Sequence, residues 1–104
     1  MENRDLLKRI HDLLGSVYGA RLRGVVLYGS EARGDARPDS DIDVLVLLTH
    51  VADYGRDLRQ NIEALYDLAL ETGRRISPKP VDADEYEHMD CPLYRKAHEE
   101  GIAA

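Results

Sequence analysis

The chain has 104 residues, 43% of them apolar and 33% charged, with a net charge of −6; this is an ordinary globular composition, and the length predicts one domain over 1–104 with a core of modest size. The acidic balance excludes a broad non-specific nucleic-acid binder, because the phosphate backbone rewards clustered lysine and arginine, but it leaves room for a local basic pocket around one triphosphate. No apolar run approaches a membrane span and the leading Met-Glu-Asn-Arg-Asp lacks a signal-peptide core, so a cytoplasmic protein with no membrane contact is expected.

Leu6, Leu7, Ile10, Leu13, Leu14 and Val17 recur at helical spacing, which predicts an amphipathic helix from about Asp5 to Tyr18 that covers one face of a sheet. Asn3 or Asp5 could cap it and Gly19 could end it, and His11 reads as a surface or rim residue. Arg21 and Arg23 lead into Val25-Val26-Leu27-Tyr28, a β-branched and apolar run of the kind that forms a buried strand. That strand ends in Gly29-Ser30. Glycine lets the backbone turn sharply and lets a ligand come close. If Ser30 caps a short helix through Glu31-Ala32-Arg33, the N–H groups beside it offer an anion site. Gly34 would then stop that helix.

Asp35 to Ser40 is loop chemistry broken by Pro38, with Ser40 able to brace the turn before Asp41. Ile42–Leu48 is the most apolar run of the chain. In an extended backbone Asp41 and Asp43 share a face, roughly 6.6 Å apart along the strand. Carboxylates that close repel unless a cation lies between them, and hard oxygen donors favour Mg²⁺ over zinc. Magnesium takes one or two protein carboxylates and completes its shell with water and substrate phosphates, so the Gly-Ser turn would supply the other half of a phosphate site.

Beyond the second strand, Thr49 or Asp53 could cap a helix whose apolar stripe is Tyr54, Leu58, Ile62, Leu65, Leu68 and Ala69, closed by Gly73. Arg56, Asp57, Arg59, Gln60, Glu63 and Asp67 read as its solvated face. Arg74 to Val81 is a weak third strand: Pro78 and Pro80 cannot donate to a ladder, so it must be an edge strand or an extended segment. Asp82, Asp84 or both could cap a helical turn through Glu85-Tyr86-Glu87-His88. Asp90-Cys91-Pro92 then opens a last helix carrying Leu93, Tyr94 and Ala97, ended by Gly101, with Ile102 packing back. Cys91 is the sole cysteine, which excludes an intrachain disulfide and argues against a cysteine-based metal site. The class is α/β (α+β): a small mixed sheet of about three to four strands with helices packed on one side.

Gly29-Ser30, ten intervening residues and Asp41-Ile42-Asp43 resemble the signature of the polymerase-β-type nucleotidyltransferase superfamily. The fuller strings, Gly-Ser-x-Ala-Arg-Gly and Ser-Asp-Ile-Asp-Val, resemble its minimal nucleotidyltransferase (MNT) group. The motif covers Tyr28 to Leu48, and the order of elements around it extends the resemblance to nearly the whole chain. The resemblance implies that ATP lies with its phosphates over Gly29 and Ser30. Asp41 and Asp43 are then the catalytic carboxylates and bind one or two Mg²⁺ ions. Arg33 or Arg37 could add positive charge there, although Arg33 could equally pair with Asp35.

MNT proteins typically act on a helical HEPN toxin ribonuclease encoded beside them. The implied role is therefore an antitoxin that transfers AMP to a tyrosine of that toxin, within a hetero-oligomer and without binding nucleic acid directly. Superfamily members that look catalytically complete carry a third acid on the strand after the long helix. Here that strand reads Arg-Arg-Ile-Ser-Pro-Lys-Pro-Val-Asp, and Asp82, its nearest acid, reads better as a helix cap. The alternative is thus a weak or inactive MNT-fold antitoxin that neutralises its partner by binding. A small-molecule nucleotidyltransferase is a third possibility that the short chain argues against.

Overall fold

Apolar residues on both sides of the runs 25–27 and 42–48 require those strands to be covered on two faces, and the sheet is the middle layer of the molecule. The computed structural model describes residues 2–104. Helix α1 (Asn3–Tyr18) and a 3₁₀ turn (Gly19–Arg21) precede β1 (Leu22–Tyr28), α2 (Ser30–Arg33) and β2 (Ile42–Leu48). Then come α3 (Tyr54–Thr72), β3 (Ile76–Asp82), α4 (Ala83–Glu87), α5 (Pro92–Glu100) and the two-residue β4 (Ile102–Ala103). The four strands lie in the order β3-β2-β1-β4. Strand β1 runs antiparallel to both β2 and β4, whereas β2 and β3 are parallel, with α3 as the crossover between them.

On one face Val25, Leu27, Ile42, Val44, Val46, Leu48 and Ile76 pack against Leu6, Leu7, Ile10 and Leu14 of α1 and Leu65 and Leu68 of α3. On the other, Val26, Leu45, Leu47 and Val81 pack against Ala83 and Tyr86 of α4 and Ala97 of α5. The α+β class and the strand number stand; the placing of helices on one side is corrected. A strand that is apolar at successive positions cannot leave one face in water, and the two short carboxy-terminal helices supply the second cover.

One cap assignment changes, and a second is decided between the two residues expected. Glu2 occupies the N-cap position of α1 without a side-chain bond, while Asn3, inside the helix, sends its Nδ2 to the Glu31 carbonyl at 2.7 Å. Asp53, not Thr49, caps α3, accepting from the Arg56 N–H at 3.0 Å.

The larger correction concerns the rotation of α3. Its buried residues are Asp57, Asn61, Leu65 and Leu68, while Tyr54, Ile62, Tyr66 and Leu70 lie exposed. Three polar contacts turn the helix this way. Arg21 grips the fully buried Asp57 with two bonds, at 2.9 and 2.6 Å, and also donates to the carbonyls of Thr49 and His50. Asn61 accepts from the Tyr18 hydroxyl and donates to the Pro78 carbonyl at 3.0 Å. Burial, then the Asp57 charge, push the Tyr18 phenol up to about 12, so it remains a donor.

That Pro78 carbonyl therefore points away from β2. Alternate residues of a parallel edge strand face outward, and on β3 the outward set includes Pro78 and Pro80, neither of which has an N–H.

Candidate active site

The site forms where β1 ends beside the start of β2, with Tyr28 paired to Asp43 across the antiparallel ladder. Gly29 follows at φ 75°, ψ −150°, a region essentially reserved for glycine. A β-carbon there would stand 2.8 Å from Asp43 Oδ2. The backbone of the turn thus lies directly against the carboxylate, and only a residue without a side chain fits between them.

Ser30 is the first residue of α2, and Gly29 takes the N-cap position without a side-chain cap, which corrects the expectation that Ser30 would cap. The N–H groups of Ser30, Glu31 and Ala32 precede the first bond of this turn, from the Arg33 N–H to the Gly29 carbonyl at 3.1 Å, and so are unclaimed within the helix. Gly34 ends α2 in the left-handed conformation at φ 80°, as its place in the sequence predicts.

Asp41 is exposed just before β2, and Asp43 is half-buried within it. By strand alternation both lie on the side of Leu45 and Leu47, the face that α4 and α5 cover. Burial, and after it the Asp41 charge, raise the Asp43 carboxyl above its ordinary range. Burial and the Asp43 charge likewise raise the Tyr28 phenol. The mutual repulsion of 41 and 43 is the electrostatic condition that a bound dication relieves. Two carboxylates with no softer donor fit Mg²⁺, which needs no more than that from a protein when phosphates complete its shell. Among the described residues, no group of three or more His, Cys, Asp or Glu could hold a metal.

Strand β3 explains why there is no third acid. Ser77 is the residue paired with Asp43, whereas Asp82 pairs with Leu48 at the far end of the strand, about 17 Å away at the usual rise. Asp82 caps α4 instead, accepting from the Asp84 and Glu85 N–H groups at 2.9 and 3.3 Å.

Arg33 is brought to the rim, where it meets Asp35 at 3.3 Å and Glu100 at 3.4 Å. The pairing with Asp35 is the one of its two sequence readings seen here, and Arg33 also lines a cleft of about 210 Å³ with Tyr28, Gly29, Leu93, Lys96 and Glu100. The Arg37 N–H donates to Ser40 Oγ at 2.9 Å, the brace expected before Asp41. Two residues escaped the sequence reading. Lys96 enters the cleft from α5, and Arg74 sits behind the motif; both lie far from it in the chain, and no local pattern marks either one.

A family model for the nucleotidyltransferase domain matches residues 6–104. The chain belongs to that family. Within it, a Methanocaldococcus jannaschii protein provisionally named a protein adenylyltransferase is 33% identical over 70 residues, which are 67% of this chain and 70% of that one. A solved structure provisionally described as a minimal nucleotidyltransferase shares 28% identity at a TM-score of 0.54, covering 98% of this chain and 95% of the other. A crystal structure of a toxin–antitoxin with AMP-PNP shares the fold at a TM-score of 0.66 and 21% identity, over 92% of this chain and 69% of that one. These likenesses agree with the MNT resemblance of the motif. Among the described residues no helix is long and apolar enough to cross a membrane.

Proposed function

We propose that this nucleotidyltransferase works as a single cytoplasmic domain over 1–104 and transfers AMP from ATP, with Mg²⁺, to a partner protein. The partner we favour is a helical HEPN-type toxin modified on a tyrosine, with this chain as its antitoxin. The observation that carries the reading is the contact of the Gly29 turn with Asp43, beside a second carboxylate at 41. The name of the archaeal relative and the toxin–antitoxin neighbour with its ATP analogue support the choice of acceptor and partner.

In this reading Asp41 and Asp43 hold Mg²⁺ and are the catalytic pair, while Gly29, Ser30 and Arg33 take the nucleotide. When bound, the metal supplies charge neutralisation on the triphosphate and lowers the pKa of the attacking hydroxyl. Gly29 leaves room for the phosphates to approach the backbone. The Ser30 hydroxyl and the free N–H groups of α2 donate to the phosphate oxygens, and Arg33 adds a cation at the rim. The acceptor oxygen bonds to the α-phosphorus, the bond from that phosphorus to the bridging oxygen breaks, and pyrophosphate leaves as the hydroxyl proton passes to solvent. Fixed positions and preset charge provide the acceleration.

A second reading, neutralisation by contact with ATP held but not turned over, is favoured by Ser77 in the place beside Asp43 where a third carboxylate would complete the site. Incubation with labelled ATP, Mg²⁺ and the adjacent helical protein separates the two. The first expects AMP mass on the partner, lost in Asp43→Ala. Tight binding with no added mass, together with full protection by Asp41→Ala/Asp43→Ala, overturns it in favour of the second.

A further inference from the structure

Arg74 lies outside both halves of the motif, one residue past the Gly73 that ends α3. Its side chain is 15% exposed and reaches two places at once. Nε donates to the Ser40 carbonyl at 2.9 Å, holding the peptide that delivers Asp41. Nη2 meets Glu31 Oε1, from the second residue of α2, at 2.6 Å. The approach is off the line of a hydrogen bond and neither atom has another partner, so the contact is a charge pair.

Glu31 is the buried residue of α2, at 7% exposure. An acid is expensive to bury and gives little packing in return, so its place is explained by the cation it meets. Helix α2 has four residues, too few to persist by its own hydrogen bonding. The loop from 35 to 41 is similarly thin: apart from Arg74, its backbone is held by the Asp35 N–H to the Ser30 carbonyl at 3.1 Å, the Ser40 N–H to the Arg37 carbonyl and the Arg37 N–H to Ser40 Oγ. The backbone beside Arg74 adds a further tie, since the Ile42 N–H donates to the Arg75 carbonyl at 2.8 Å.

From this we infer that Arg74 is a positioning residue: it fixes the Gly29–Arg33 turn relative to the carboxylate of Asp41 while lying behind the site and touching neither nucleotide nor metal. The link to nucleotide affinity rests on the proposed function; the clasp itself does not.

The test has two arms. In amide hydrogen exchange without nucleotide, Arg74→Ala should speed exchange at Arg33, Asp35 and Ser40 by tenfold or more, leaving the β1 and β2 core amides at wild-type rates. Calorimetry with Mg²⁺ and a non-hydrolysable ATP analogue should show affinity reduced by about tenfold in both Arg74→Ala and Glu31→Gln. Arg74→Lys, which keeps the charge opposite Glu31 but loses the Nε geometry, should recover part of it. Unchanged exchange in Arg74→Ala overturns the clasp. Weakened affinity in Arg74→Ala with wild-type affinity in Glu31→Gln also overturns the positioning role, because Arg74 would then be acting on the nucleotide itself. If Arg74→Ala does not fold, Arg74→Lys and Glu31→Gln carry both arms. If the wild-type chain binds no nucleotide, the proposed function fails and the exchange arm alone decides the clasp.

Discussion

Gly29 and Asp43 are in direct contact: a methyl group on the first would lie 2.8 Å from an oxygen of the second. Gly29→Ala therefore meets two obstacles. The backbone there, at φ 75° and ψ −150°, strains any other residue by about 1–3 kcal/mol, and the added carbon must displace the carboxylate. Denaturant unfolding should show a loss of about 2 kcal/mol. The heat of Mg²⁺·nucleotide binding should vanish as well. A variant with intact binding would mean that the contact has no bearing on the site.

Ser77→Asp should complete a cluster of three acids. The register pairs residue 77 with Asp43, and Val81, of the same alternation, packs on the face shared with Leu45 and Leu47. Without metal this variant should melt below wild type, because a third carboxylate joins two that already repel. Mg²⁺ should bind on the order of tenfold more tightly, as added ligand charge strengthens hard-cation sites. AMP transfer should rise with it. Magnesium titration followed by melting temperature and transfer rate checks both signs.

Neighbouring residues on α3 should respond in opposite ways. Asn61→Leu leaves the Pro78 carbonyl without its donor and the Tyr18 hydroxyl with only the Asp57 carbonyl, at a cost of about 1–3 kcal/mol. Ile62→Ser, at a position 47% exposed, should change stability by less than about 0.5 kcal/mol. A helix with the apolar stripe inward would give the reverse order, so equilibrium unfolding of the pair decides the rotation.

Acid sensitivity should centre on Asp57. Arg21, outweighing the burial that acts against it, holds the Asp57 carboxyl below the usual carboxylate range. The folded value is depressed, so this stability is fully present above about pH 3.9, the unfolded value, and is lost as pH falls towards the folded one. Arg21→Met leaves the buried Asp57 carboxylate with only the long 3.9 Å contact to the exposed Arg56 and should cost about 3 kcal/mol at neutral pH. It should also reverse the trend: without the Arg21 bonds burial outweighs the distant, exposed Arg56 and raises the carboxyl, so the variant regains stability on acidification. Unfolding curves between pH 3 and pH 7 for both proteins test the sign.

What the sequence made legible is what depends on residues close in the chain. The spacing from Gly29-Ser30 to Asp41-Ile42-Asp43 marked the two halves of the site, and the prolines marked β3 as an edge. The Asp82 cap was readable from the helical turn beside it. What stayed hidden depends on distant partners. Asp57 read as a surface residue and Asn61 went unmarked because their counterparts, Arg21, Tyr18 and Pro78, lie 17 to 43 positions away. Arg74 was silent for the same reason, and the second helical layer was missed because α4 and α5 are short, five and nine residues.

The rim formed by Pro78 and Pro80 has a consequence for how this molecule meets others. No donor is available there at 78 or 80 to template an incoming extended segment, so a neighbouring copy or a half-unfolded chain gains little by zipping on along that border. Whatever approaches from that side must be recognised through side chains, and fibrous stacking has lost one of its two margins.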